Sequence, residues 1–177
     1  MALRLAVVSQ REPSVEGRGD EHRAAQIVRS LSSFGIDVQS FHVLKSQGTP
    51  IPVTPRQIAS FIRSSLSAPI SIARVGACGD EQVLDGFDLA ILVTSRVALS
   101  TKGTTKVIID FVDDLATNYE RRAEIVRSPL RPAIRWESRR QRRFDGQLAR
   151  ETVAGVAVTA GDAATLGVEH VIPLYIE

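Results

Sequence analysis

Residues 106–114, Lys-Val-Ile-Ile-Asp-Phe-Val-Asp-Asp, join an apolar run of strand length to a pair of carboxylates. Val107, Ile108, Ile109, Phe111 and Val112 are β-branched or aromatic, the composition of a parallel strand buried on both faces. Such a strand delivers Asp113 and Asp114 to its carboxyl end. In an open α/β sheet, ligands bind in the crevice outside the carboxyl ends of the strands, close to the point where the strand order reverses. Function is therefore to be sought at Asp113 and Asp114. A structural role competes for the same pair, because Asp113 or Asp114 can also cap the helix expected over residues 115–126 by accepting hydrogen bonds from its free N–H groups.

Working toward the amino terminus, residues 87–93 (Phe-Asp-Leu-Ala-Ile-Leu-Val) predict a second buried strand that ends in the polar Thr94-Ser95-Arg96. Residues 3–9 predict the first strand, and residues 10–19 a polar loop containing Pro13, Gly17 and Gly19. A helix follows, with Asp20 as its expected N-cap, Ala24, Ile27, Val28, Leu31 and Phe34 at helical spacing, and Gly35 as its stop. Residues 36–43 alternate in polarity and predict a less buried strand. Thr54 and Pro55 are placed to cap and begin a helix that runs through Ile58, Phe61, Ile62 and Leu66. Residues 69–75 are expected as a strand and residues 81–84 as a short helical turn.

Toward the carboxyl terminus, a long helix is expected over residues 132–151, with Trp136, Phe144 and Leu148 near its apolar stripe. Strands at 153–158 and 168–172 flank a short helix at 161–166. Alternating strands and helices imply an α/β fold: one Rossmann-like domain, residues 1–173, with a mostly parallel sheet covered by helices on both faces.

Composition narrows the classes of function. The 177 residues are 44% hydrophobic and 24% charged, which suits one globular domain with a single core. Cys78 is the only cysteine, so an internal disulfide and a cysteine-based zinc cluster are excluded, and a reducing, cytoplasmic setting is expected. His22, His42 and His170 have no metal-ligand spacing, and no metal or cofactor is expected. Gly17 and Gly19 do not complete a dinucleotide fingerprint, because His22 stands where the third glycine would be, and there is no phosphate-loop lysine pattern. A glycine loop entering a helix can nonetheless hold an anion through free N–H groups, with His22 and Arg23 beside it. A plain surface loop explains the same residues.

Charge is distributed unevenly. From residue 118 to 150, ten arginines stand against four carboxylates, although the whole chain carries only +2. Arg139, Arg140, Arg142 and Arg143 crowd the long helix around Glu137. A solvated face, with Glu137 paired to Arg140 along the helix, is one reading. A surface for anionic lipid headgroups or lipid-linked phosphates is another, while a nucleic-acid partner is not expected, since aromatic interleaving and a binding motif are lacking.

In order and motifs the chain resembles the N-terminal domain of a GT-B-fold, glycosyltransferase family 4-like bacterial sugar transferase. The similarity lies in the glycine loop with Pro13, Gly17, Gly19 and Arg23, and in V-I-I-D-F-V-D-D (residues 107–114). It continues in R-W-E-S-R-R-Q-R-R-F-D (135–145), G-V-A-V-T-A-G-D-A (155–163) and V-I-P (171–173). Thr159, Asp145 and Leu174-Tyr175 depart from the family's usual serine, glutamate and Asn-Gly. The resemblance implies an acceptor-side half-enzyme that moves a sugar from a nucleotide-sugar donor to a saccharide or lipid-linked saccharide. Gly17, Gly19, His22 and Arg23 would face the donor diphosphate, and Asp113, which thereby becomes the candidate catalytic residue, the acceptor. Glu137 and the four arginines would face the acceptor or an anionic surface, which would place the protein peripherally at the inner membrane face. Residues 174–177 would begin the linker to a second, donor-binding domain, without which donor affinity is weak and the chain inactive. A noncatalytic binding module that engages a membrane or partner protein through the basic helix is the alternative.

Overall fold

The computed structural model describes residues 3–17, 19–45, 50–103, 105–126 and 129–173; the expected linker at 174–177 lies outside them. In order, the elements are β1 (Arg4–Ser9), α1 (Asp20–Ser33), β2 (Asp37–His42), α2 (Pro55–Ser65), α3 (Ile70–Cys78), β3 (Gln82–Val83) and β4 (Leu89–Val93). A 3-10 helix (Ser95–Ser100) and β5 (Thr101–Lys102) come next. They are followed by β6 (Lys106–Phe111), α4 (Leu115–Ile125), α5 (Arg131–Glu151), β7 (Ala154–Ala157), α6 (Ala160–Leu166) and β8 (His170–Val171). Six strands form one parallel sheet in the order β2-β1-β4-β6-β7-β8, and β3 pairs with β5 separately. The Rossmann-like α/β fold is as expected.

Side-chain alternation along the strands explains the two layers. Ala6, Val8, Ala90, Leu92, Ile109, Phe111 and Ala157 point to one face, where they pack with Val75 of α3, Val97 of the 3-10 helix and Ala163 and Leu166 of α6. Val7, Val93 and Val112 point to the other, where they meet Ala24, Ile27, Val28 and Leu31 of α1. Parallel crossovers are right-handed, so the one connection that runs against the general direction, from β1 back to β2, places its helix alone on the second face. The edges of the sheet are modest: β2 alternates half-buried and exposed residues, and β8 has two exposed ones.

Several helix ends form where the sequence signals them. Thr54 and Gln57 make a reciprocal capping box at α2 with Pro55 in the first turn, and Thr159 caps α6. Asp114 is the cap of α4: its carboxylate accepts from the Thr117 N–H at 2.9 Å, which leaves Asp113 exposed. At α1, by contrast, Gly19 occupies the N-cap position at φ 53°, and Asp20 is already helical and buried. That positive φ favours glycine, so the helix starts one residue earlier than the carboxylate suggests.

Two expectations are corrected. Residues 70–78 form α3, not a strand; a short apolar run cannot separate the two by periodicity, and here the Glu137 carboxylate accepts the Ile70 N–H and so caps the helix from 67 residues away. Residues 82–83 pair with β5 as a strand, not a helical turn, with Leu84 N–H continuing the ladder to the Lys102 carbonyl at 2.8 Å.

The return from α3 to the sheet is tight. A Cβ on Gly79 would stand 2.1 Å from Val43 Cγ1 and 2.9 Å from the Val75 carbonyl oxygen, whereas one on Gly161 would meet nothing closer than 3.8 Å. Gly79→Ala should therefore lower the unfolding free energy by roughly 1–3 kcal/mol through overpacking. Gly161→Ala, inside α6, should leave it unchanged or raise it by up to about 1 kcal/mol. Urea unfolding of both variants measures the difference.

A candidate site at the carboxyl edge of the sheet

The strand order reverses at β1, whose neighbours β2 and β4 are reached by connections leaving in opposite directions. The crevice this opens lies outside the carboxyl ends of β1 and β4. Polar groups gather there and are buried: Ser9 and Gln10 end β1, Thr94 and Ser95 end β4, Asp20 opens α1, Asp114 follows β6, and Gln141 and Asp145 project from α5.

Part of this cluster is held by α5. The Gln141 side-chain amide donates to Ser95 Oγ at 3.2 Å and to the two Asp145 carboxylate oxygens at 2.9 and 3.0 Å. Asp145 also hydrogen-bonds Ser95, yet burial pushes its pKa up from 3.8 to about 6, with the nearby Asp114 adding to the rise and Arg96 opposing it. Burial likewise raises Asp20, against the pull of Arg11 and Arg96. Gln141 Oε1 and Asp20 Oδ2 are buried with no hydrogen-bond partner. At the mouth, Arg96 reaches the Gln10 side-chain oxygen at 3.5 Å. Thr94 holds φ at 75°, an outlier for a β-branched residue, and accepts the Arg96 N–H at 3.2 Å. The cluster thus holds one carboxyl group shifted to about 6, with the half-buried Arg96 guanidinium beside it, while Asp113 is exposed beyond the end of β6. Asp145 itself, 1% exposed, can act only through Ser95 and Gln141.

The residues expected to hold a diphosphate lie together elsewhere. Gly17, Gly19, His22 and Arg23 line a cavity beneath α1. A Cβ on Gly17 would be 2.6 Å from Glu21 Cβ, so this glycine lets the loop close onto the helix, and its N–H is spent on the Ser14 carbonyl at 3.2 Å. His22 Nδ1 lies 2.7 Å from the Val15 carbonyl oxygen. Arg23 is buried and paired with Asp110, Nε to Oδ2 at 2.7 Å. Asp20 and Glu21 already place carboxylates in the first turn of α1, where an anion would otherwise profit from the helix dipole.

The basic helix divides likewise. Arg140 donates to the carbonyls of Ser65 and Ala68 and to Glu137 at 3.3 Å, and lies 4.5 Å from the centre of the Trp136 ring. Glu137 and Arg140 form the intrahelical pair and join α5 to α2 and α3. Arg139, Arg142 and Arg143 are exposed, with Arg142 also 3.2 Å from Glu120. The buried stripe of α5 is Glu137, Ser138, Gln141 and Asp145, whereas Trp136 is 54% exposed. The spacing 137, 141, 145 of acid, amide and acid along one face was the signal for it.

No family model matches the chain, and neither the curated proteins nor the solved structures compared with it provide a match. Among the described residues, no group of three or more His, Cys, Asp or Glu is arranged to hold a metal ion.

A folded pKa near 6 against an unfolded 3.8 means that the native state binds more protons through that interval. Stability is then highest on the acid side and falls as pH rises through the window, by roughly 3 kcal/mol at most. Asp145→Asn should flatten this slope. Urea unfolding free energies at about pH 5 and about pH 7, for wild type and variant, measure it directly.

Proposed function

We propose that the chain is the acceptor-side domain of a GT-B-fold glycosyltransferase, which moves a sugar from a nucleotide-sugar donor to the hydroxyl of a saccharide or lipid-linked saccharide. The observation that carries this reading is the exposed Asp113 at the carboxyl end of β6, where Asp114 fixes the backbone as the cap of α4 and the switch-point crevice opens alongside. Asp113 would accept a hydrogen bond from the acceptor hydroxyl and take its proton as that oxygen attacks the anomeric carbon. The bond from that carbon to the diphosphate breaks, and the departing phosphate oxygen keeps the electron pair. Arg96, just after β4, would meet that charge, in a site where orientation and electrostatics supply the catalysis. In this reading donor affinity would come from a second domain. Residues 1–177 alone should bind uridine, guanosine or adenosine diphosphate sugars weakly and transfer nothing. Calorimetry and a transfer assay test this: tight binding with turnover by this chain alone refutes the half-enzyme reading. With a donor domain supplied, Asp113→Asn should depress kcat about 100-fold or more while the melting temperature holds.

A second reading, a noncatalytic module at an anionic membrane, is favoured by a different surface. No helix among the described residues is long and apolar enough to cross a membrane. However, α2 buries no residue, and Ile58, Ile62 and Leu66 form an exposed stripe at four-residue spacing, with Leu66 83% exposed. Trp136 stands beside its end, where Arg140 bonds the Ser65 carbonyl, and the exposed Arg56 and Arg63 of α2 itself add positive charge. Apolar and aromatic groups rimmed by arginine suit a helix lying in a lipid interface. Binding to vesicles containing phosphatidylserine should weaken with added salt and fall about tenfold in Ile62→Glu or in the triple reversal of Arg139, Arg142 and Arg143 to Glu. Arg140 is left intact because it holds the fold. Sedimentation with vesicles reads the outcome, and a wild type that never sediments would eliminate this reading.

A further inference from the structure

A sheet of six parallel strands needs cover on both faces, because the strands of such a sheet are apolar on both sides. Here the face of α1 is only half covered. α1 packs against β1, β2 and the near side of β4, and beside it Ile108 of β6, Val156 of β7 and Ile172 after β8 line a groove of about 940 Å³. Ile108 is half-buried and Ile172 is 50% exposed. Along the other wall, His22, Gln26, Arg29 and Ser30 follow one flank of α1 at three- and four-residue spacing. The groove is thus apolar on its sheet side and polar on its helix side. The buried charges in it, Arg23 and Asp110, neutralise each other at 2.7 Å. The exposed cations have no such counter-charge: Arg29 on α1, and Lys106, two residues before Ile108 and so on the same side of β6, form no ion pair among the described residues.

The dimensions are those of a helix. Three strand spacings separate β4 from β8, roughly 14 Å in all. A second helix would lie about 8–10 Å from α1. One helix therefore fits between α1 and the edge of the sheet, with its apolar stripe on the isoleucines and one polar flank along α1. Charge decides whose helix it is. A second copy of the chain could offer α2, where Ile58, Ile62 and Leu66 are exposed, but α2 carries Arg56 and Arg63 and no acid, so it would set like charges against Arg29 and Lys106. Carboxylates on the docking helix turn the same contact into attraction. We propose that the groove docks an acidic amphipathic helix of a partner protein, its apolar stripe laid on Ile108, Val156 and Ile172 and its carboxylates beside Arg29 and Lys106. Recognition of this kind is carried by apolar anchors at three- and four-residue spacing, while the flanking charges select the partner. The surface uses neither Asp113 nor Arg96 nor the stripe of α2, so it is independent of sugar transfer and of membrane binding.

Three fluorescein-labelled peptides of about 18 residues, five helical turns, test this against the full chain. The first has leucine at three- and four-residue spacing and glutamate on its flanks, the second replaces glutamate by lysine, and the third shuffles the first so that no apolar stripe remains. By fluorescence anisotropy the acidic peptide should bind saturably and about tenfold or more tighter than the other two, with an affinity that falls as salt is added. Ile172→Gln should weaken it about tenfold, and the double variant Arg29→Glu, Lys106→Glu should reverse the preference in favour of the lysine peptide. All three positions are exposed, and an unchanged circular dichroism spectrum verifies the fold; the charge reversal keeps the test valid if Ile172→Gln fails to fold. Ile62→Glu, on α2, should leave the affinity unchanged. Absence of saturable binding, equal affinity for the acidic and basic peptides, or loss of binding in Ile62→Glu in place of the groove variants would overturn the proposal. A concentration-dependent dimer abolished by Ile172→Gln would overturn it as well, by giving the groove to a second copy.

Discussion

Helix α5 turns a polar stripe toward the interior, and much of the structure hangs from that stripe. Glu137 takes the first free N–H of α3, Arg140 takes carbonyls at the end of α2 and just beyond it, Ser138 donates to the Ala116 carbonyl of α4 at 2.9 Å, and Gln141 and Asp145 reach Ser95 after β4. A buried polar group is tolerated only when its partners are in place, so each bond fixes one neighbouring element relative to α5. Non-directional hydrocarbon contact would hold these elements together without determining their mutual registration. The carboxyl edge of the sheet thus inherits its geometry from a helix whose solvent face looks merely basic.

This arrangement also accounts for what could be read in the sequence and what could not. Strands β1, β4 and β6 announce themselves because a strand buried on both faces must be apolar over its length. The caps Thr54 and Asp114 are legible because a cap acts on its own helix, within three residues. Helix α3 was not legible, because the group that satisfies its N-terminus belongs to α5. The inward stripe of α5 was obscured in a different manner. Trp136 is the largest apolar residue there, and an apolar stripe is the usual inward face, yet Trp136 lies outside against Arg140 while acids and amides lie inside.

At the candidate site the same distinction applies. Asp113 could be placed at the carboxyl edge from its strand, and the structure leaves it exposed there. Arg96 comes from the 3-10 helix and Gln141 and Asp145 from α5, two segments far apart in the chain that only the tertiary fold brings together. Gly17, Gly19, His22 and Arg23 do share one cavity, but Arg23 is held there by Asp110, hidden within an apolar strand. An aspartate at that position looks like an interruption of the strand. It is the counter-ion that lets Arg23 lie beneath α1.

The short, polar margins of the sheet carry a consequence for behaviour at high concentration. A parallel sheet folds slowly because its strands are distant in sequence, and an exposed edge strand can recruit a strand from another molecule meanwhile. Here β2 presents Asp37, Gln39 and Ser40 to solvent, and β8 offers only a two-residue ladder. The charge and polarity of β2 and the shortness of β8 make both margins poor templates for intermolecular pairing. Edge-to-edge pairing of native molecules is thereby discouraged at both ends of the sheet.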